Sequence, residues 1–332
     1  MVRNQQYEDE DSVNQSVVIL ESWCSVGQRR EGVERGAFHL LDTQQLNHLP
    51  IIRIDQENSS STTSSPDSAL CNRAIVAEEE ICHNQRRVAS FNQQIAQTID
   101  NLFNTTSEKK PFIVNIGGDH SVAIGSIYAM MKQYPDLRVL WVDAHADINT
   151  PKGSMSKNMH GMPLAFLCGE SILGQERKSL VGFEWMNEEI SLDVSSRLAY
   201  LGLRDVDDFE HGILEKFNIK HFTASQIHQF GIGNCLEECF THLNLKNSQL
   251  PLFLSFDVDG IDPEFTPSTG TAVENGISHQ DGIMICKKCG EYSNFVGMDL
   301  VEVNPSIGDE EQVEKTILNS MHYITTAVER RL

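Results

Sequence analysis

The sequence predicts an α/β fold: a single domain with a central, mostly parallel β-sheet flanked by helices on both faces. Three observations carry this. Short strand-like runs alternate with longer helix-like stretches; the runs are apolar throughout; and each ends in a cluster of acidic residues or histidines. The runs are Phe112–Ile116 (FIVNI), Val139–Val142 (VLWV), Leu198–Leu201 (LAYL), Leu252–Phe256 (LFLSF) and Asn294–Val301 (NFVGMDLV). A strand covered on both faces has no polar side, so it loses the usual alternation. Ser121–Gln133 and Asn234–Leu245 suit the helices between them. Strand, helix, strand in succession implies parallel strands joined by right-handed crossovers. With no solenoid-period repeat and no late linker, residues 17–332 read as one domain. An acidic polar extension, 1–16, precedes it, and a Ser/Thr-rich surface loop at about 57–68 (NSSSTTSSPDS from Asn58) interrupts it.

Composition narrows the function. A net charge of -21 over 332 residues lacks the basic footprint that nucleic acid or an anionic membrane surface requires, and it suits a cationic substrate. No apolar run approaches the roughly 18 residues of a membrane span. The N-terminus resembles neither a secretory signal nor a transit peptide, so a cytoplasmic address is expected. The eight cysteines are scattered; Cys286 and Cys289 form a lone CxxC, and Cys235 and Cys239 lie four apart. Reduced, buried thiols are expected of them.

The polar clusters are ordered. FIVNI is followed by Gly117-Gly118-Asp119-His120, VLWV by Asp143-Ala144-His145-Ala146-Asp147, and LAYLGL by Arg204-Asp205-Val206-Asp207. LFLSF is followed by Asp257-Val258-Asp259-Gly260, and the last run by Glu302-Val303-Asn304-Pro305. Ligands of parallel α/β sheets bind beyond the carboxyl ends of the strands, so five such ends describe one site. The spacing of two between Asp143, His145 and Asp147, repeated by Asp257 and Asp259, would put each set on one face of an extended strand end. Two glycines before Asp119 allow a close backbone approach that aims His120 at the same region. Carboxylates so gathered repel and raise one another's pKa values, which divalent cations relieve. Many carboxylates with a minority of imidazole favour Mn²⁺ over Zn²⁺. The count fits two metals, His120, Asp143, Asp147 and Asp257 around one and Asp143, His145, Asp257 and Asp259 around a second, with Asp143 and Asp257 bridging, a division that the family resemblance below supports.

GGDHS (Gly117–Ser121), DAHAD (Asp143–Asp147) and SFDVDGIDP (Ser255–Pro263) resemble the three signature motifs of the ureohydrolase family, arginases, agmatinases and their relatives. The resemblance runs from roughly Val17 to Val328 and is weakest across the Ser-rich loop. It implies an arginase-like three-layer fold, two Mn²⁺ per subunit, and a homo-oligomer, commonly a trimer. Within the family, DINTP (Asp147–Pro151) and SKNMHGMP (Ser156–Pro163) resemble arginase loops that read the amino-acid end of L-arginine. By that resemblance Asn149, Ser156 and Asn158 bind the α-carboxylate, and Asp207 and Glu210 take the α-amino group. Thr271 and Glu302 face the guanidinium, Glu302 as its charged partner. The implied reaction is metal-assisted attack of hydroxide on the guanidinium carbon, giving L-ornithine and urea. Asp147 would orient the nucleophile and move its proton, with His160 carrying protons to and from solvent. Another guanidino-substrate ureohydrolase such as an agmatinase, or a non-catalytic metal-binding arginine sensor or assembly subunit, are the rival readings. Two positions depart from the family pattern: Lys157 stands where Gly is usual, and Ala37 where Pro is common.

Overall fold

The computed structural model describes residues 16–55, 80–106, 110–246 and 248–332. The acidic stretch 1–15 and the Ser-rich loop lie outside them. Eight strands form one sheet: β1 (Val17–Trp23), β2 (Ile51–Asp55), β3 (Phe112–Ile116), β4 (Arg138–Val142), β5 (Leu198–Leu203), β6 (Lys220–Thr223), β7 (Leu252–Asp257) and β8 (Phe295–Val301). Every pairing is parallel, in the order β2-β1-β3-β8-β7-β4-β5-β6. The five runs legible in the sequence are thus the five central strands.

Their uniform apolarity follows from two separate cores. Ile113, Val139 and Trp141 pack on one face under the helices Gln85–Thr105, Ala123–Gln133 and Pro163–Cys168. Phe112, Val114, Leu140 and Val142, their neighbours in sequence, pack on the other under Ile232–His242, His279–Glu291 and Glu310–Val328. Alternate side chains leave a strand on opposite faces, so burial on both sides demands an apolar residue at every position. The three-layer α/β expectation holds. The cysteines of the two expected clusters, Cys235, Cys239, Cys286 and Cys289, are all buried and free.

Three strands carry a weaker signal. β2 (IIRID) and β6 (KHFT) are short edge strands with polar residues. β1 (VVILESW) is interior, yet holds Glu21, which is buried and answered by Arg53 at 2.9 Å from the paired position of β2.

The end of β3 is the tightest junction. Gly118 donates to the Ser22 carbonyl at 2.9 Å, Asp119 to that of Cys24 at 2.9 Å, and Glu302 donates back to Gly118 at 2.9 Å. A Cβ on Gly118 would stand 1.7 Å from the Cys24 carbonyl oxygen, so only glycine fits. This is the close approach expected of the Gly-Gly pair, and it places His120 directly beneath the sheet's carboxyl edge. Gly118→Ala should therefore lose about 3 kcal/mol or more of stability, an overpacking cost with backbone on the opposing side. Gly212→Ala, with open space around the added methyl inside the helix Asp208–Lys216, should gain about 0.5–1 kcal/mol. Urea midpoints measure both, and a wild-type midpoint for Gly118→Ala would contradict the packing.

Candidate metal centre and its cleft

His120 opens a 3₁₀ turn capped by Asp119, whose carboxylate accepts from Ser121 N. Its ring stacks on Trp141 at 4.2 Å, and Nε2 meets Ser255 Oγ at 2.9 Å. Nδ1 is left facing Asp143 Oδ2 (3.2 Å), Asp147 Oδ2 (3.0 Å) and Asp257 Oδ2 (3.2 Å). Across the cleft, His145 Nδ1 lies 3.3 Å from Asp143 Oδ1 and 3.2 Å from Asp259 Oδ2. Two groups result, His120-Asp143-Asp147 and Asp143-His145-Asp259, each compact enough to hold an ion. Asp143 belongs to both, one oxygen to each. Asp257 reaches the first group through Oδ2, while its Oδ1 accepts from Asp259 N at 2.8 Å.

The electrostatics divide accordingly. Burial would raise Asp143, yet hydrogen bonds and charge from His120 and His145 outweigh it and hold its carboxyl well below the usual range. Burial and then the charge of Asp143 push Asp147 up to about 6. Burial, Asp259 and Asp143 raise Asp257 well above its ordinary value. The uniform upward shift expected from the sequence is thus corrected for Asp143, where imidazoles intervene.

The residues fit a divalent cation. His120 Nδ1 is buried among three carboxylate oxygens and forms a proper hydrogen bond with none. One N–H could serve a single oxygen; a cation among the four atoms would serve all of them. Oxygen donors with a minority of imidazole are a hard-metal set.

The expected strand-end periodicity is not how the ligands are arranged. β4 stops at Val142, the following residues bend, and Asp147 lies in the left-handed region at φ 48°. Asp257 ends β7, and Asp259 sits in the 3₁₀ turn Val258–Gly260 that Asp257 caps. The residues converge through capped turns rather than through a continued pleat.

Above this floor opens a cleft of about 290 Å³. His145, Asp147, Asn149, Ser156, Asn158, His160, Asp207, Glu210, Asp257, Asp259 and Thr271 all line it. Asn149 Nδ2 donates to Asp207 Oδ2 at 2.8 Å, joining two expected substrate contacts. Asn158 N donates to Ser156 Oγ, and Asn158 Oδ1 is buried without a partner. A 180° turn of that amide would present Nδ2 to an anion at the same place. Glu210 accepts from Ile148 N at 3.1 Å and Asp207 N at 3.2 Å, and burial, then Asp147, push it up to about 8. Thr271 Oγ1 donates to Asp259 Oδ2 at 2.8 Å.

Glu302 lies behind the lining, 1% exposed. Its Oε1 accepts from His120 N at 3.0 Å and meets His160 Nδ1 at 3.1 Å. Burial opposes its ionisation, but His160 and His120 N together keep its pKa below the ordinary value. Burial likewise opposes the charge on His160, and Glu302 overrides it, raising the imidazole to about 9. His160, expected to carry protons to and from solvent, is thus paired with Glu302. Lys157, which departs from the family pattern, stands between Ser156 and Asn158. Its ammonium turns to the Pro151 carbonyl within the loop, away from the cleft lining, and its backbone is left-handed at φ 60°, as a glycine's would be. Ala37 is buried near the start of the helix Gly36–Asp42.

Some contributors were not singled out from sequence. Trp141 Nε1 donates to Asp143 Oδ2 at 2.9 Å, and Asp205 Oδ2 stands 3.7 Å from His145 Nε2. Arg204 donates to the carbonyls of Gly202, Asp259, Gly260, Ile261 and Val273, pinning the turn that carries Asp259. Arg204 and Asp205 belong to the polar run after β5, whereas Trp141 lies inside the apolar β4.

A model described as the arginase family matches residues 15–327. The chain belongs to the arginase family. Arginase-1 of Rattus norvegicus is 38% identical over 302 residues, covering 91% of this chain and 88% of the relative. The mitochondrial arginase-2 of Homo sapiens is 37% identical over 306 residues, covering 92% and 82%. Among solved structures, Entamoeba histolytica arginase in complex with L-ornithine superposes with a TM-score of 0.75 at 29% identity, covering 95% of this chain and 98% of that one. Membership of this family of hydrolases, and its fold, agree with the reading of the three motifs.

Mn²⁺ should raise the melting temperature, because binding to the folded state alone contributes about 2.7 kcal/mol per site at a hundredfold excess over Kd. Asp143→Asn should depress metal content at both positions, whereas Asp259→Asn should spare the first. Metal analysis after gel filtration, paired with thermal shift, would expose a single shared ion by equal losses in both variants.

Proposed function

We propose that this protein is a manganese-dependent arginase, hydrolysing L-arginine to L-ornithine and urea. The observation that carries the reading is the pairing of two His/Asp groups, joined through Asp143, with a cleft lined by neutral amides and a hydroxyl at Asn149, Ser156 and Asn158. His120, Asp143, Asp147 and Asp257 would hold one Mn²⁺, and Asp143, His145, Asp257 and Asp259 the other. Such a centre supplies a strong water-derived nucleophile at neutral pH.

The chain's own groups do the rest. Glu302, kept ionised and screened from bulk water, offers a charge-assisted contact to a guanidinium, fixing its carbon in the cleft. Thr271 adds a polar contact on the same side. Asp147, which faces both the first His/Asp group and the cleft, can take a proton from the attacking water and return it to the departing amine. His160, at the cleft wall, can exchange protons with solvent once a substrate cation competes for Glu302. Asp207 and Glu210 answer an α-ammonium; Asn149, Ser156 and Asn158 answer an α-carboxylate. Homo-oligomeric assembly as a trimer and a cytoplasmic address belong to the same proposal.

Purified protein preincubated with Mn²⁺ should release urea from L-arginine and far less from agmatine, and lose the activity when stripped of metal. Urea from agmatine alone would overturn the carboxylate-reading assignment. Asn149→Ala should raise KM for arginine about tenfold or more, the scale of a hydrogen bond to a charged group, with agmatine turnover little changed. Lys157→Gly should leave KM for arginine within about twofold and melting temperature equal or higher, since relief of a left-handed non-glycine residue, about 1 kcal/mol, offsets glycine's entropy. A large KM increase in that variant would mean its ammonium does reach substrate.

A further inference from the structure

The turn after β1 contains a residue that the mechanism above leaves without a role. Gln28 is 5% exposed and donates from Nε2 to Glu302 Oε2 at 2.8 Å, across 274 positions of sequence. Gly27, beside it, donates to Asp119 Oδ2 at 2.9 Å and accepts from His160 N at 3.1 Å. One turn thus grips the residue before His120, the backbone of His160 and the side chain of Glu302. A Cβ on Gly27 would fall 2.4 Å from Asp119 Oδ1, so the grip leaves no slack.

The chemistry at this contact is selective. Arg29 and Arg30 follow Gln28 directly, and either could reach for a buried carboxylate. Both are turned elsewhere, Arg29 to the His83 ring and Arg30 to the Gly270 carbonyl. The group set against Glu302 is a neutral amide, which fixes an oxygen in place without neutralising the charge. With Oε1 held by His120 N and His160, and Oε2 by Gln28, the carboxylate plane has one defined orientation. A carboxylate offers about four acceptor positions, so one remains for a further donor. A cation at position 28 would instead compete with the substrate.

We propose that Gln28 is a positioning residue for substrate specificity: it orients Glu302 and preserves its charge for a guanidinium cation. The inference rests on the arginase reading of the site. Gln28→Met keeps length and loses the donor; Gln28→Glu keeps shape and replaces the amide by a second carboxyl that repels Glu302 or shares a proton with it, in either case spoiling its free negative charge. In the Mn²⁺-loaded enzyme both should lower kcat/KM for L-arginine by about 10- to 100-fold, the range for a buried hydrogen bond to a charged group. Inhibition by L-ornithine, which carries the α-groups but no guanidinium, should change by less than about twofold, with metal content retained and the protein folded at the assay temperature. In a Glu302→Gln background, Gln28→Met should add less than about twofold, because the two residues act as one unit. Wild-type kcat/KM in Gln28→Met and Gln28→Glu, or equal losses for arginine and ornithine, would overturn the proposal while leaving the arginase reading intact. An Mn²⁺-loaded wild-type enzyme that releases no urea from arginine would overturn both.

Discussion

Carboxylates crowded below water level at the end of a parallel sheet set the terms for everything around them. Asp143, Asp147, Asp257 and Asp259 are each less than a tenth exposed and converge from two strand ends. Burial of charge is tolerated only when it is paired or coordinated. Two imidazoles satisfy Asp143, which is why its carboxyl stays acidic, but they do not satisfy Asp147 and Asp257, which are pushed upward. The folded chain therefore carries an electrostatic deficit that a divalent cation fits in sign, size and donor type. An all-parallel sheet makes the deficit possible, since it is the topology that brings every carboxyl edge to one side.

The surrounding groups keep those carboxylates from relaxing apart. Trp141 holds one oxygen of Asp143 and lies flat against His120, while Ser255 engages the far nitrogen of the same imidazole. Arg204 spends its guanidinium on five backbone carbonyls, not on the nearby acids. That choice fixes the turn bearing Asp259 without placing a competing cation inside the metal cluster. Gln28 follows the same logic at Glu302. Both residues stabilise geometry while leaving negative charge available, and a cationic substrate next to divalent metal needs that charge.

Sequence made the centre of this molecule legible and its margins less so. The five central strands announced themselves because burial on both faces removes all polarity from them. β2 and β6 did not, being short edges where polar residues are free to occur, and β1 was masked by a buried Glu21 whose partner sits on another strand. Residue types and spacing brought the candidate metal ligands to one place and the family resemblance placed the cleft residues around them, with Glu302 just behind the lining, yet the geometry inferred from a two-residue period was wrong. Side-chain caps, Asp119 on Ser121 N and Asp257 on Asp259 N, turn the chain immediately after each strand. Those are local hydrogen bonds that the pattern of residues permits but does not dictate. Gln28 and Trp141 were not singled out for different reasons: Gln28 acts across 274 positions, while Trp141, two residues from Asp143, is one more apolar residue of a buried strand, and neither carries a charge or a metal-binding atom.

Backbone strain marks the same places. Of the non-glycine residues with positive φ, several are Asn, which with Asp tolerates the left-handed region; Lys157 and Glu302 do not share that ease, and Asp147 joins them in the site. All three belong to the site loops, and strain of this kind persists only where the surroundings over-determine it. Glu302 is held by four contacts, its own N–H to Gly118 and its carboxylate to His120 N, His160 and Gln28. Lys157 is held by the Pro151 and His83 contacts and by Ser154 Oγ. Asp147 has fewer protein partners: its carbonyl accepts from Leu164 N at 3.1 Å, and its carboxylate faces a histidine nitrogen shared with two other acids. The least satisfied of the three strained residues is therefore the one facing the metal groups, where a bound cation would complete the support that the polypeptide leaves unfinished.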